Sequence, residues 1–340
     1  MTYRVGIVGT SFGAKAHLPA FSAHPAFEVV AIASPHSAQR ISRERKIAAF
    51  PSCQAMIDGI DLDVVSIASP PFAHHENVLA ALTARKHVIC EKPFALSVEQ
   101  AEEMRDAARK AGTSTAIMHE FRWIPLRIAL KELVINHHLD PLREIEITQL
   151  STSLRAEAQR DRSWWFERER GGGLAGALLS HIIDAANWLA GRAPVASSGF
   201  TRTANRQRHD AKGAFTSTVD DGAFALLDYG GGLIARLTAD STTNVDSSTL
   251  AIHGENRTAV ASGPDIGDSQ LFTIEGDETS ELECKPSPHA QFSSINDNVP
   301  LIMDLLDEFV KQIESGISAV PTFDDAVATQ RVLASIGYGS

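Results

Sequence analysis

From residue 3 the chain alternates between short apolar runs and amphipathic stretches. Tyr3–Val8 is an apolar run ending in glycine, which predicts a buried strand. Phe12–His24 then carries helical spacing, and Phe27–Ala33 is a second apolar run. The alternation continues with a helix over Ile41–Phe50, a strand over Asp63–Ala68, a helix over Glu76–Ala84 and a strand over His87–Cys90. Ser97–Lys110 is a helix with both ends marked: Ser97 and Gln100 form a capping box, and Gly112 supplies the stop. Thr113–Met118 predicts a fifth strand. Strands and helices in this rhythm make βαβ units and a mainly parallel sheet.

After about residue 120 the rhythm changes. Ile124–Asn136 and Ala175–Ala190 have helical spacing, whereas Glu144–Ser151, Gly222–Tyr229, Leu233–Ala239 and Leu250–His253 read as strands. Gly230-Gly231-Gly232 lies between two of these as a hairpin loop. Strands joined by turns predict a mostly antiparallel sheet, so this half is α+β. Leu301–Ser315 predicts a long final helix, and the polar segments 203–217 and 276–298 read as loops. The expected organisation is a doubly wound α/β domain over 1–120 and a second domain over 121–340, whose final helix can pack back on the first.

Length agrees with that division, because 340 residues exceed one ordinary domain of roughly 150. Hydrophobic residues at 44% and charged residues at 21% are a globular composition, which excludes disorder, collagen and coiled coil. Charge sets the partners: 31 basic against 42 acidic residues leaves −11, so the chain has no electrostatic footprint for nucleic acid or an anionic membrane. Three scattered cysteines, Cys53, Cys90 and Cys284, argue against a disulfide framework and for a reducing compartment. No cysteine–histidine spacing suggests zinc. The opening residues lack the apolar core of a secretory signal, and no apolar run is long enough to span a bilayer. A cytoplasmic protein is the expectation.

The first strand runs into Gly9-Thr10-Ser11-Phe12-Gly13-Ala14. A dinucleotide site needs glycine at the turn, a small residue where backbone meets pyrophosphate, and a small residue where helix meets strand. Gly9, Ser11 and Ala14 take those places, with Thr10, Ser11, Phe12 and Gly13 beside the phosphates. At the end of the second strand an acid would bond the 2′-hydroxyl of NAD and repel a 2′-phosphate. Here stand Ser34-Pro35-His36, with Arg40 beyond, so the balance tips to NADP over NAD. Past the run His87–Cys90 comes Glu91-Lys92-Pro93. Ligands of open parallel sheets bind beyond the carboxyl ends of strands. A lysine there can donate to a substrate hydroxyl or assist its deprotonation.

These residues resemble a known family. Glu91-Lys92-Pro93 resembles the EKP motif of the Gfo/Idh/MocA oxidoreductases, which include glucose–fructose oxidoreductase and inositol dehydrogenase. Similar matches run along the chain: Val5–Thr10; Ser69-Pro70-Pro71 with His74 and Glu76; Phe121-Arg122-Trp123 with Pro125; Gly171–Gly173 with Ser180-His181 and Asp184; Val320–Phe323. The resemblance implies an N-terminal Rossmann domain and a C-terminal domain with a large, mostly antiparallel sheet whose open face makes oligomers, dimeric or tetrameric. It also implies a nicotinamide cofactor and hydride transfer at a carbinol carbon of a sugar, polyol or cyclitol. On that pattern Ser34 and His36 lie near the ribose, Ser69, Pro70 and His74 border the centre of the cofactor, and Glu91 and Lys92 adjoin the nicotinamide. The substrate meets Lys92, Arg122, Trp164, His181 and Asp184.

One position departs from the pattern. The family lysine works with an aspartate and a histidine spaced i, i+4 on one helix. His181 fills the histidine place, but Ala177 stands where the aspartate would be. The expectation is therefore that His181 is the principal acid/base, Lys92 orients the substrate oxygen, and Asp184 positions His181 or a hydroxyl. Trp164 and Trp165, before Arg168 and Arg170, are candidates to stack on a sugar. A rival reading, favoured by Ala177, is a cofactor-binding regulator without catalysis; another is a hydrolase that oxidises its substrate transiently. A serine-hydrolase triad from Ser180, His181 and Asp184 fails because adjacent side chains rarely pair and no GxSxG elbow is present. His74-His75 and His137-His138 have no third ligand spaced for a metal.

Overall fold

The computed structural model describes residues 2–317 and 319–339, in two compact units. The first comprises the residues up to Trp123 together with Ser287–Val327; the second comprises Ile124–Pro286 and the residues from 328. The 121–340 segment is thus not one piece. Its part 287–327 belongs to the first unit, whose core takes in the apolar face of the long helix there.

The first unit holds a six-stranded parallel sheet of β1 (Tyr3–Val8), β2 (Phe27–Ala33), β3 (Ala48–Phe50), β4 (Val64–Ile67), β5 (His87–Cys90) and β6 (Thr115–Ile117), in the order 3-2-1-4-5-6. Six strands stand where five were expected. Within Ile41–Phe50 the helix ends at Lys46, which turns left-handed at φ 59, and Ala48–Phe50 then pairs with Ala31–Ala33. A short helix over Cys53–Gly59, capped by Ser52, was also not foreseen. Both faces of the sheet are covered. On one side Val5, Ile7 and Ile32 pack under Ile302, Leu306 and Phe309 of the helix Asn298–Ser315. On the other, Val8, Ile67 and Val88 meet Met56, Met104 and Phe323. Burial from both sides is why these strands read as unbroken apolar runs.

The second unit is built on an eight-stranded sheet of β7 (Leu142–Leu150), β8 (Ala196–Arg202), β11 (Gly222–Asp228), β12 (Ile234–Asp240), β13 (Ser247–Gly254), β14 (Thr258–Gly263), β15 (Gln270–Glu275) and β16 (Glu278–Leu282). Its order is 16-15-14-13-7-12-11-8, antiparallel except where β7 and β12 run parallel. A separate hairpin of β9 (Gln207–Asp210) and β10 (Gly213–Thr216) occupies the segment expected to be a loop. Its polar sequence hides a buried side: Arg208 is inside, donating to Leu154 O at 2.7 Å and Arg155 O at 3.0 Å. β16 lies in the other expected loop; as an edge strand exposed almost throughout, it has no apolar face to announce it. The helix Ser180–Ala190 packs on β7 and β12. Phe200, Leu226 and Ile234 are exposed on β8, β11 and β12, and Phe200 stacks on Phe224 at 5.0 Å.

Candidate active site

At the topological switch between β1 and β4, the chain leaves β1 through Gly9 at φ 114, and its N–H donates to Ala33 O at 2.9 Å. A Cβ on Gly9 would strike the Ala68 carbonyl and approach Ser69 N to 2.9 Å. The loops after β1 and β4 therefore touch, which leaves a cradle that only glycine permits. Gly13 packs the following helix on the sheet, since a Cβ there would lie 3.2 Å from both Ala68 Cβ and Ile7 Cγ2. Gly13, rather than the half-buried Ala14, thus takes the helix-to-strand place. Ser11 is exposed at the loop tip, and Phe12 lies half-buried, edge-on to His17 at 5.6 Å.

Beyond β2 three hydroxyls converge. Thr10 Oγ1 lies 2.6 Å from Ser37 Oγ and 3.3 Å from Ser34 Oγ, and the two serines are 3.3 Å apart. Ser37 was not singled out from the sequence. His36 is exposed beside them. Arg40 is paired with Glu44 one helical turn on, at 3.0 Å, rather than held toward this group.

The ends of β4 and β5 carry the remaining cofactor candidates. Ser69 and Pro70 are half-buried on the loop. His74 is wholly buried and bonds backbone instead: Nε2 lies 2.7 Å from Ser69 O, and Nδ1 3.0 Å from Pro93 O. Burial pulls its pKa down. Both ring nitrogens face backbone carbonyls, so His74 fixes the loop. Glu91 likewise turns inward. Its Oε1 is 2.8 Å from Nε2 of His17, and its Oε2 accepts the N–H of Lys92 at 3.2 Å. Burial would push the Glu91 carboxyl up, but the His17 hydrogen bond, together with the charge of Lys92, outweighs it and holds it below its ordinary value. Lys92 itself is half-buried. Arg122, expected at the substrate, is buried at 5% exposure and lies 3.5 Å from Asp325.

In the second unit Gly171–Gly173 lead into a wide turn over Ala175–Leu179 and then the helix Ser180–Ala190. Asp220 fastens the start of this run: Oδ2 accepts from Ala175 N at 2.6 Å. Ser180 Oγ is buried and donates to Gly176 O at 2.7 Å, which removes it as a nucleophile. His181 and Asp184 are both buried within the helix. Asp184 lies near Tyr229, whose hydroxyl donates to Asn187 Oδ1 at 2.8 Å; burial, then the Asp184 charge, pushes the Tyr229 pKa up. Ala177, one turn before His181, lines a cleft of about 460 Å3 with Gln149, Ser151, Arg160, Trp165 and Asp246. Its aromatic wall is Trp165, over which the Arg160 guanidinium sits at 3.9 Å; Trp164 is only half-buried on the same short turn.

Burial pushes Asp220 up to about 6 against its backbone bonds. A carboxyl raised in the folded state contributes stability below about pH 4 and loses it as pH climbs through 6. Asp220→Asn keeps an acceptor for Ala175 without the buried charge, so its stability should vary less than wild type between those pH values. Asp220→Ala leaves that N–H without its partner and should cost about 1–3 kcal/mol. Urea titrations at several pH values measure both, and identical slopes for Asp220→Asn and wild type would refute the assignment.

Residues 3–119 match the family profile described as an oxidoreductase family with an NAD-binding Rossmann fold, and residues 128–260 match the GFO/IDH/MocA C-terminal domain. An uncharacterised oxidoreductase of Synechocystis is 35% identical over 56% of this chain and 52% of its own length. Levoglucosan dehydrogenase of Pseudarthrobacter phenanthrenivorans is 31% identical over 55% of this chain and 51% of its own. The chain thus spans about half the length of these curated relatives. A solved levoglucosan dehydrogenase in complex with NADH superposes over 100% of this chain and 97% of that one, with a TM-score of 0.87 at 23% identity. At that identity the likeness speaks for the fold.

Proposed function

The chain belongs to the Gfo/Idh/MocA oxidoreductase family, and from that premise we propose that it is an NAD(P)-dependent oxidoreductase acting on a secondary alcohol, or the matching ketone, of a sugar, polyol or cyclitol. The observation that carries this is the cradle at Gly9, where the loops after β1 and β4 meet beside the strand end that bears Lys92. Gly9, Thr10, Ser11, Phe12 and Gly13 would hold the phosphates, Ser34 and His36 the ribose, and Ser69 and Pro70 the central part. A nicotinamide held there would supply or take the hydride. On the family pattern, Lys92 would donate to the substrate oxygen and hold it in place, and His181 would take or return its proton. Trp164 would recognise the rest of the substrate, and Asp184, buried within the helix, would position His181. Relatives named as dehydrogenases of levoglucosan and of glucoside support an enzyme over a regulator that lacks catalysis.

NADP is the preferred cofactor. The Thr10–Ser34–Ser37 hydroxyls stand where an NAD site would present a carboxylate, and hydroxyls can donate to a 2′-phosphate. NADPH is expected to bind tighter than NADH in fluorescence titrations, and NADH binding about tenfold tighter, 1.4 kcal/mol, would refute the preference. Steady-state assays over a sugar and cyclitol panel test the activity. Binding of neither nucleotide would sink the reading, and net cofactor reduction during turnover would exclude transient oxidation by a hydrolase. Exposed Phe200, Leu226 and Ile234 support association of copies through the open sheet face as dimers or tetramers, which light scattering reads. Two of the three free cysteines are buried, which accords with a reducing, cytoplasmic setting. No helix among the described residues is long and apolar enough to cross a membrane.

A further inference from the structure

We infer that His17 is a positioning residue for Lys92, acting through Glu91; the inference rests on the oxidoreductase reading and concerns the same site. His17, Ser66 and Glu91 come from three different elements: the turn behind the glycine loop, β4, and the end of β5. They form one buried chain. Ser66 Oγ is 2.8 Å from His17 Nδ1, and His17 Nε2 is 2.8 Å from Glu91 Oε1. Glu91 Oε2 then accepts the Lys92 N–H at 3.2 Å. His17 and Ser66 are fully buried, so the arrangement, though it has the residue types of a hydrolytic triad, admits no substrate.

One arrangement satisfies every group of this chain. The Ser66 hydroxyl donates to Nδ1, which leaves Nε2–H to donate to an ionised Glu91. Phe12 and Phe21 flank the imidazole at 5.6 and 6.5 Å, which keeps water from replacing its N–H. The other titratable groups facing Glu91 are His74 from the helix His74–Thr83, and Cys90 and Lys92 on its own strand end. A buried carboxylate that loses its shorter hydrogen bond shifts toward its protonated form, and without His17 Glu91 would keep only the longer bond from the Lys92 N–H. Removing His17 therefore removes the negative charge beside Lys92 and loosens the bond that fixes the Lys92 backbone. Three apolar side chains would hold the sheet at least as well, because buried ionic groups are a poor source of stability. The chain of polar groups is better explained by what it holds at residue 92.

The test uses the full-length protein with His17→Leu, His17→Gln and Glu91→Gln. Infrared difference spectra between low and neutral pH, with Glu91→Gln assigning the band, report the Glu91 carboxyl without any turnover. The wild type should show Glu91 ionised at neutral pH, and His17→Leu should show it protonated. On the best substrate of the panel, His17→Leu should lower kcat by about tenfold or more with KM little changed. His17→Gln, whose amide can donate to Glu91, should recover most of that loss. If His17→Leu does not fold, Glu91→Gln carries the kinetic test: the same fall in kcat is expected. An ionised Glu91 in His17→Leu, or an unchanged kcat in His17→Leu or Glu91→Gln, overturns the inference. Failure of the wild type to bind either nucleotide would overturn the oxidoreductase reading instead, and the carboxyl spectra would still decide whether His17 governs Glu91.

Discussion

Lys92→Met is expected to lower kcat by about 10²-fold or more, because the role proposed for Lys92 is to donate to the reacting oxygen in the transition state. Lys92→Arg should not restore it. A guanidinium stays protonated at any working pH and presents a planar fork instead of a compact ammonium. His181→Ala should cost a similar factor of about 10² if it moves the hydroxyl proton. The double variant should lose little beyond the larger single loss, because groups that act on one proton transfer are not additive. Presteady-state bursts should vanish in all three, so that the chemical step and not product release is the one slowed. NADPH titration should still give a complex in each. A wild-type rate in Lys92→Met would remove the lysine from the reaction and, with it, the reason for assigning the strand end after Cys90 to catalysis.

Ala177 sharpens that experiment. It faces a cleft beside Trp165 and Arg160 instead of presenting a carboxylate one turn before His181. Whatever basicity a neighbouring acid would lend His181 must come from elsewhere or be absent. If catalysis persists in the wild type, Lys92 and His181 carry the acid/base work without that partner, and their single losses should be large.

How far the fold was legible depended on burial from both sides. β1, β2 and β5 are apolar at nearly every position because helices cover both faces of their sheet, and their bounds follow from sequence alone. The second sheet is different. β8, β9 and β16 carry serine, arginine, histidine and glutamate outward, and Arg208 even inward, so alternation of apolar residues is lost. Tertiary partners, not local pattern, make those strands. The turn at Gly9 and the place of Lys92 beyond a strand end were legible because both are local signals. His17 was not. A single histidine inside an apolar helix has no pattern of its own; its meaning appears only when Ser66 and Glu91, 49 and 74 residues away, arrive on either side. The Thr10–Ser34–Ser37 cluster is a similar case, with hydroxyls brought together across two loops.

Gly9→Ala should be the most damaging small substitution in the first unit. Its φ of 114 lies where side chains with a Cβ are rarely found, a strain of about 1–3 kcal/mol before any clash. The new methyl would also occupy the place of the Ala68 carbonyl, so the loop after β4 must retreat. That loop carries Ser69, whose carbonyl holds His74, which in turn holds Pro93 beside Lys92. The disturbance therefore reaches both the Gly9 loop and the strand end that bears Lys92. A combined cost of about 3 kcal/mol would weaken NADPH binding by roughly 10²-fold, at 1.4 kcal/mol per factor of ten. Gly112→Ala is the matching control: φ is 65 there, but nothing lies within 4 Å of the new methyl, so only the backbone strain remains. Thermal melts and NADPH titrations of the two variants separate strain from closeness. If Gly9→Ala loses no more stability than Gly112→Ala and keeps NADPH affinity, the loops after β1 and β4 do not form the cofactor's cradle.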